Sequence, residues 1–145
     1  ATISNLFNED ELNGSTKLNG NYDKSIIMEN LGNGTFKYSC LPIDTQVSPI
    51  NSMVILDYNN DQKEDVLLVG NNYGNEVFIG RYDAFNGGLL KNNHNGNFEF
   101  IPTIESGFLV PGDAKSIISV NSAKSNYPYY IVTQNRDSIK AFQKK

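Results

Sequence analysis

The chain has 145 residues, of which 39% are hydrophobic and 11% aromatic, and this composition predicts one compact domain with a modest core. Its formal net charge of −4, without clustered Lys or Arg, argues against a nucleic acid partner, because a phosphate backbone is bound by concentrated positive charge. The apolar runs are too short to predict a membrane span, and one His with one Cys offers little for a catalytic triad.

Residues 1–22 form a lead-in segment before the repeated part of the chain. Within it, the sequence SNLFNEDEL, residues 4–12, places Ser and Asn at capping positions and acidic side chains early in the segment. Both features favour the start of a helix. We therefore predict one short helix here.

Asparagine–glycine pairs occur at five places along the chain. Asn makes up 21 of the 145 residues and precedes Gly at residues 13, 19, 33, 86 and 95. Such pairs favour tight turns because both residues tolerate positive φ. The short stretches between them are rich in Ile, Val, Phe and Tyr, which favours strands. The pattern predicts an all-β fold.

Two parts of the sequence repeat. IIMENLGNGTFKYS, residues 26–39, aligns with GLLKNNHNGNFEFI, residues 88–101, at an offset of 62. Farther along, LLVGN at residues 67–71 aligns with IVTQN at residues 131–135 at an offset of 64. Repetition of this kind is typical of architectures built from one supersecondary unit.

We predict one repeat unit over residues 23–87 and a degenerate second unit over residues 88–145. Each begins with a hairpin, followed by strands at residues 52–56 and 66–69 in the first unit and at residues 116–120 and 129–133 in the second. Four antiparallel strands form one blade of a β-propeller, and a closed ring needs about four to eight blades. The expected architecture is therefore two blades of an incomplete ring, whose open edges are covered by further blades or by another chain.

The segment between the two units interrupts the periodicity. It predicts one more strand at residues 76–79 and then a loop that carries Arg81, Tyr82 and Asp83. Together with Asp113 in the sequence PGDAK, these residues are candidates for contacting a ligand or partner, because loops commonly carry binding residues.

The sequence LDYNNDQKEDVLLVGN crowds acidic side chains immediately before a strand. Asp57, Asn59, Asp61 and Asp65 occupy positions 1, 3, 5 and 9 of a loop, and Lys63 at position 7 supplies a backbone carbonyl. Such alternating oxygen ligands suit Ca²⁺, which takes roughly six to eight oxygens and offsets the repulsion between carboxylates. The alternative is an ordinary turn, in which Asp and Asn are also favoured.

The corresponding loop of the second unit, NSAKSNYP, contains no acidic residue. Asn121, Ser122 and Ala123 replace the first part of the acidic loop. Because Ca²⁺ prefers carboxylate ligands, the sequence predicts a single calcium ion, bound in the first unit.

The segment NLGNGTF, followed by LDYNNDQKEDVLLVGN, resembles the FG-GAP or VCBS repeat, and the resemblance extends over residues 23–142. Repeats of that family form blades of integrin-type β-propellers and carry a D-x-D-x-D-G-x-x-D calcium loop. The resemblance implies one structural calcium ion held by the five loop residues named above, with Gln62 in place of the loop glycine. It also implies a secreted or cell-surface protein, exposed to millimolar calcium.

Three functions stay open at this level. A non-catalytic calcium-stabilised module of a secreted, cell-surface, periplasmic or outer-membrane-associated protein, binding a protein or glycan, agrees best with the scarcity of catalytic side chains. A polysaccharide-acting enzyme fragment would draw on Arg81, Tyr82, Asp83, Glu105 and Asp113. A purely structural subunit would complete an outer-membrane or surface assembly.

Overall fold

The computed structural model describes residues 2–94 and 96–144 and confirms a mostly β fold with antiparallel pairing. Asn95, which belongs to a predicted Asn-Gly turn, lies outside the described residues. The strands are β1 (Ile26–Gly32), β2 (Thr35–Cys40), β3 (Ile50–Leu56), β4 (Asp65–Gly70), β5 (Gly88–Asn92), β6 (Phe98–Ile101), β7 (Ala114–Val120), β8 (Tyr129–Gln134) and β9 (Lys140–Gln143). Short helices α1 (Glu9–Leu12) and α2 (Thr103–Ser106) accompany 3-10 turns at Ile3–Asn5 and Ile43–Thr45.

The hydrogen-bonded sheets are grouped differently from the predicted units. A two-stranded hairpin, β1–β2, is followed by a four-stranded sheet in the order β3-β4-β5-β6 and a three-stranded sheet in the order β7-β8-β9. The predicted boundary between residues 87 and 88 thus falls inside one sheet, because β4 pairs with β5. Each predicted unit begins two strands before one of the two larger sheets begins. The hairpin of the second unit, β5–β6, pairs with β4 of the preceding sheet and not with the strands that follow it.

The pairs β3–β4 and β7–β8 share one strand register. Ile50 faces Gly70 and Ala114 faces Gln134, an offset of 64 in both strands, and the offset persists to the ends of the pairs. Each pair also shifts its register at the same place, between the first and third residues of its first strand. A shared irregularity of this kind indicates structurally equivalent units.

Side chains of the four-stranded sheet are buried on both faces, because alternate residues of a strand point to opposite sides. One face, with Leu67, Val69 and Leu89, packs against Ile117 and Val132 of the three-stranded sheet. The opposite face forms a second cluster that contains Leu68, Leu90 and Phe85, with Leu41 and Phe100 packed against it. The sheet therefore lies between two apolar layers.

Polar side chains join the two larger sheets beside the β3–β7 contact. The Asn51 Nδ2 donates to the backbone oxygen of Ala114 at 2.7 Å, and the backbone N–H of Ile117 donates to Ser52 Oγ at 3.2 Å. These bonds hold the first strands of the two sheets next to each other.

The predicted N-terminal helix forms as two short helical pieces rather than one. The Asn8 side chain caps α1 by accepting a hydrogen bond from the N–H of Glu11 at 3.0 Å, and the N–H of Asn8 donates to the Glu11 carboxylate at 2.8 Å. This capping box starts α1, which ends after four residues at Leu12.

The strand predicted at residues 76–79 is wrong, because this segment forms a turn. The N–H groups of Ile79 and Gly80 both donate to the carbonyl of Glu76. Val77 and Phe78 are 99% and 84% exposed, so the apolar residues that suggested a strand pack on nothing in the described chain. An antiparallel bridge between Asn72 and Tyr82 closes the loop at its base.

No helix in the described part of the chain combines the length and apolar character needed to cross a membrane.

Candidate functional site

The acidic loop connects β3 to β4 and is wound around the side chain of Asp57. One carboxylate oxygen of Asp57 accepts the N–H of Asp61 at 3.1 Å, and the other accepts the N–H of Gln62 at 2.9 Å. Charge-assisted bonds to backbone N–H groups are stronger than neutral ones. Asp57 therefore fixes the loop conformation from its first position.

Two residues of this loop have left-handed backbone conformations. Asn60 has φ 61° and Gln62 has φ 64°. Asn tolerates this region, whereas a side chain such as Gln costs about 1 kcal/mol or more there. A glycine at position 62 would adopt this conformation without that cost.

Asp61, at the fifth position, is surrounded by partners from the same loop. Its carboxylate accepts Asn59 Nδ2 at 2.9 Å and the N–H of Lys63 at 3.0 Å, and the Lys63 ammonium lies 3.4 Å away. The hydrogen bond from Asn59 is the main reason why the pKa of Asp61 is lowered; partial burial opposes it, and Lys63 adds to the lowering. Asp61 is therefore held ionised.

Asp65, the first residue of β4, is fully buried. Its two carboxylate oxygens accept the N–H groups of Tyr58 and Asn92, both at 2.8 Å. One carboxylate thus ties the start of the loop to the end of β5. The arrangement gives Asp65 a structural role whether or not it also binds an ion.

The donor chemistry of the loop suits a hard cation, because carboxylate, amide and carbonyl oxygens are the usual calcium ligands. A carboxylate offers about four lone-pair sites, so Asp57 and Asp65 each retain acceptor capacity beyond the two bonds they make. Within residues 2–94 and 96–144, however, no three Asp, Glu, His or Cys side chains converge closely enough to hold a metal ion. The loop therefore fits calcium in composition but not in the convergence of its carboxylates.

Lys144, near the end of the chain, contacts the same loop. Its ammonium donates to the carbonyl of Asp57 at 2.9 Å and to Asn60 Oδ1 at 2.6 Å. The sequence analysis did not single out this residue, because nothing in the final QKK indicates that its side chain meets a loop over 80 residues earlier. Lys144 adds positive charge at the rim of the acidic loop.

The candidate ligand loop contributes Arg81 to a polar cleft of ≈ 540 Å³ at the opposite end of β3. The Arg81 guanidinium lies 4.8 Å from the centre of the Tyr73 ring. Asp113 also lines this cleft, so two of the predicted residues are brought together. Tyr82 and Asp83 are exposed but lie outside the lining; the backbone of Tyr82 pairs with Asn72.

Asp113 is buried and has charged and polar partners. It pairs with the Lys115 ammonium and accepts Asn135 Nδ2 at 3.2 Å. Burial by itself raises the pKa of Asp113, but the bonds from Lys115 and Asn135 outweigh burial and leave the pKa below its ordinary value. The carboxylate is therefore ionised and already paired.

Several residues of this cleft were not predicted. Asn135, Arg136 and Asp137 line it beside Arg81, Asp113 and Tyr73. They come from the connection after β8, which lies far in the sequence from the loop that carries Arg81. Only the packing of one sheet against the next brings them together.

A second cleft, of ≈ 880 Å³, lies beside the acidic loop between α2 and the end of β9. Glu105 and Lys144 line it together with Tyr58 and Phe142. Glu105 and Asp113, the two carboxylates considered for an enzyme, therefore lie in different clefts.

No protein-family model, no curated protein and no solved structure matches this chain. The acidic loop and the two clefts are therefore the features on which a functional proposal rests.

Proposed function

We propose that this chain is a non-catalytic binding module of the FG-GAP or VCBS type. In this proposal its sheets are blades of a β-propeller, one calcium ion stabilises the 57–65 loop, and a protein or glycan binds at the surface. The setting is extracellular, at the cell surface, or associated with the periplasm or outer membrane. The observation that carries the proposal is the shared register of β3–β4 and β7–β8, with the acidic loop at the turn of the first pair.

The packing of the sheets supports the propeller part of the proposal. Propeller blades are four-stranded antiparallel sheets arranged radially around a common centre. Here β3 to β6 form such a sheet, and β7, the first strand of the next sheet, lies beside β3. The buried residues between the two sheets form the larger core cluster, as face-to-face packing of blades requires.

In the calcium part of the proposal, the side chains of Asp57, Asn59, Asp61 and Asp65 and the carbonyl of Lys63 would hold the ion, and its binding would have to draw these carboxylates closer together than the described structure places them. When bound, it supplies the positive charge that offsets three neighbouring carboxylates. Asp57 already holds the loop closed through the N–H groups of Asp61 and Gln62. On binding, Asp61 would contact the ion in place of the Lys63 ammonium, which lies 3.4 Å from its carboxylate.

Calcium is expected to raise the Tm of the wild-type chain, and a chelator to lower it. The gain follows RT ln(1 + [L]/Kd), which is about 2.7 kcal/mol when calcium is at one hundred times Kd. Asp57→Ala should abolish the response, whereas Asn121→Ala, in the corresponding loop of the second unit, should retain it. Differential scanning calorimetry with and without calcium measures both; identical wild-type curves would show that the loop closes without an ion.

The Arg81 cleft is the proposed ligand site. Tyr73 offers an aromatic surface for a sugar ring or an apolar side chain, and Arg81 offers paired donors for a carboxylate. We expect Arg81→Ala to weaken binding to an array of acidic glycans at least about tenfold, the loss of one charge-assisted contact. Asp83→Ala, outside the cleft, should bind as the wild type does.

Two outcomes of the array experiment decide between ligand classes. Glycan binding that survives Arg81→Ala contradicts the proposed site. No glycan binding, together with a protein that co-purifies with the wild type and is lost from Arg81→Ala, selects a protein ligand at the same cleft.

The placement of the acidic residues weighs against the enzyme alternative. Glycosidases use two carboxyl groups that flank the scissile bond, roughly 5–10 Å apart. Glu105 and Asp113 line separate clefts, and Asp113 is buried and paired with Lys115. The exposed apolar sheet faces, in contrast, favour a role in assembly.

A further inference from the structure

Two apolar sheet faces are exposed at opposite ends of the pair of larger sheets. The leading face, on the three-stranded sheet, consists of Ile118, Val120, Tyr129 and Ile131. The trailing face, on the four-stranded sheet, consists of the exposed Met53 and Ile55, the half-buried Val66, and Leu68, which is buried in the second core cluster. Met53, Ile55 and Ile118 are 65%, 55% and 53% exposed, which is unusual for large apolar side chains on neighbouring strands.

Because β3–β4 and β7–β8 share one register, each of these two faces can be compared with the corresponding face of the other sheet, which is buried inside the chain. At the offset of 64, the leading-face residues Ile118, Val120 and Ile131 correspond to Val54, Leu56 and Leu67. In the four-stranded sheet, these three counterparts pack into the core between the sheets. Three of the four leading-face residues therefore repeat an apolar surface that already has a partner, whereas the fourth, Tyr129, corresponds to the buried Asp65.

The trailing face corresponds to the side of the internal interface that the three-stranded sheet contributes. Met53, Val66 and Leu68 correspond at the same offset to Ile117, Tyr130 and Val132. All three counterparts are buried in the core between the sheets, whereas Ser119, the counterpart of Ile55, is exposed. The chain thus repeats both halves of an interface that it buries once internally, and each half carries exposed apolar side chains.

We propose that copies of this chain associate head to tail, the leading face of one copy packing on the trailing face of the next as the internal sheets do. The proposal commits to a second copy as the occupant because the internal interface shows that the two kinds of face are complementary. It extends the propeller-type packing proposed above to contacts between chains, and it requires neither calcium nor a ligand at the Arg81 cleft.

No charged side chain among the eight residues that define the two faces opposes this contact, and Ser116 and Thr133, which pair on the leading face, are uncharged. The segment between β2 and β3, which places Leu41 on the trailing side, does not obstruct the contact either. Its counterpart between β6 and β7 contributes Phe108 and Val110 to the internal core, so an interface of this kind accommodates the connection.

A complementation experiment tests the proposal. Met53→Glu disables the trailing face, and Ile118→Glu disables the leading face, because a buried unpaired charge opposes association. By sedimentation velocity, the wild type should form dimers and larger species as concentration rises to about 100 µM, where micromolar association is nearly complete. Each variant alone should be monomeric, with self-association weakened at least about tenfold.

Mixing the two variants should produce a one-to-one heterodimer that does not grow further, since each partner retains one intact face. The pair Met53→Lys and Val120→Lys repeats the test with other substitutions should either first variant lose its wild-type circular dichroism spectrum. Val77→Glu, at a fully exposed residue outside both faces, serves as the control and should associate as the wild type does.

Three results would overturn the head-to-tail assembly: a wild type that is monomeric throughout, single variants that associate as strongly as the wild type, or folded variants that fail to pair when mixed. Single variants that still dimerise would indicate a symmetric contact through one face. None of these outcomes depends on whether calcium raises the Tm, so a failure of the head-to-tail assembly would leave the calcium proposal unaffected.

Discussion

Asp65→Ala should destabilise the chain by about 3–5 kcal/mol, because it removes two charge-assisted hydrogen bonds and leaves two partly buried N–H donors without their partner. The side chain is fully buried, and its oxygens accept the N–H groups of Tyr58 and Asn92 at 2.8 Å each. A loss of this size is a large part of the stability of a typical domain.

Urea denaturation in the presence of a chelator measures the effect without any contribution from calcium. Asp65→Asn should cost less than Asp65→Ala, because its amide oxygen still accepts one of the two N–H groups. Glu64→Ala, at the exposed neighbouring residue, is the matched control and should change the free energy of unfolding by less than about 0.5 kcal/mol. Equal losses for Glu64→Ala and Asp65→Ala would show that the buried bonds contribute little.

The second large effect is expected for Asn71→Ala, at about 3–5 kcal/mol. This fully buried amide donates from Nδ2 to the carbonyls of Phe85 and Gly112, at 2.6 and 2.8 Å, and accepts the N–H of Phe85 at 3.0 Å. It therefore joins the end of β4 to the segment before β5 and to the segment before β7. Truncation leaves the N–H and the carbonyl of Phe85 unpaired, whereas the Gly112 carbonyl keeps the hydrogen bond from the N–H of Ala114 at 3.0 Å.

Backbone conformation contributes to the cost at Asn71, because its φ is 83° and Ala is unfavourable there. Asn71→Gly separates the two contributions: it loses the same three bonds without the conformational penalty and should be less destabilised by about 1 kcal/mol. Asn72→Ala is the control, since its side chain bonds only within a partly exposed loop. Thermal unfolding would contradict the assignment if Asn71→Ala and Asn72→Ala lost similar amounts.

The strands could be predicted because their signals are local. Asn-Gly turns and short runs of β-branched and aromatic residues placed the predicted strands at residues 52–56, 66–69, 116–120 and 129–133 inside β3, β4, β7 and β8. The same local reasoning failed at residues 76–79, where an apolar run has no strand to pair with and forms an exposed turn. Alternation alone does not show whether a partner strand exists.

The grouping of strands into sheets is not a local property. The pairing of β4 with β5 spans a connection of 17 residues, and nothing in that connection indicates that the hairpin of the second unit joins the preceding sheet. The alignment of residues 67–71 with residues 131–135 has the same offset of 64 as the registers of β3–β4 and β7–β8, but the predicted boundary between residues 87 and 88 falls inside the four-stranded sheet.

The site residues show the same division between features that the local sequence predicts and features that depend on tertiary packing. Spacing singled out Asp57, Asn59 and Asp61, and the structure places them in one loop with mutual hydrogen bonds. Spacing could not reveal that Asp65 bonds to β5 or that Lys144 reaches the loop from the other end of the chain. Those contacts depend on tertiary packing, which brings distant segments to the loop.

A crystal structure of the chain grown with calcium tests the central account most directly. We predict one ion in the 57–65 loop, coordinated by Asp57, Asn59, Asp61, Asp65 and the Lys63 carbonyl, with no ion in the loop between β7 and β8. A loop without the ion, in which the Lys63 ammonium still pairs with Asp61 at calcium concentrations in the millimolar range, would contradict the account.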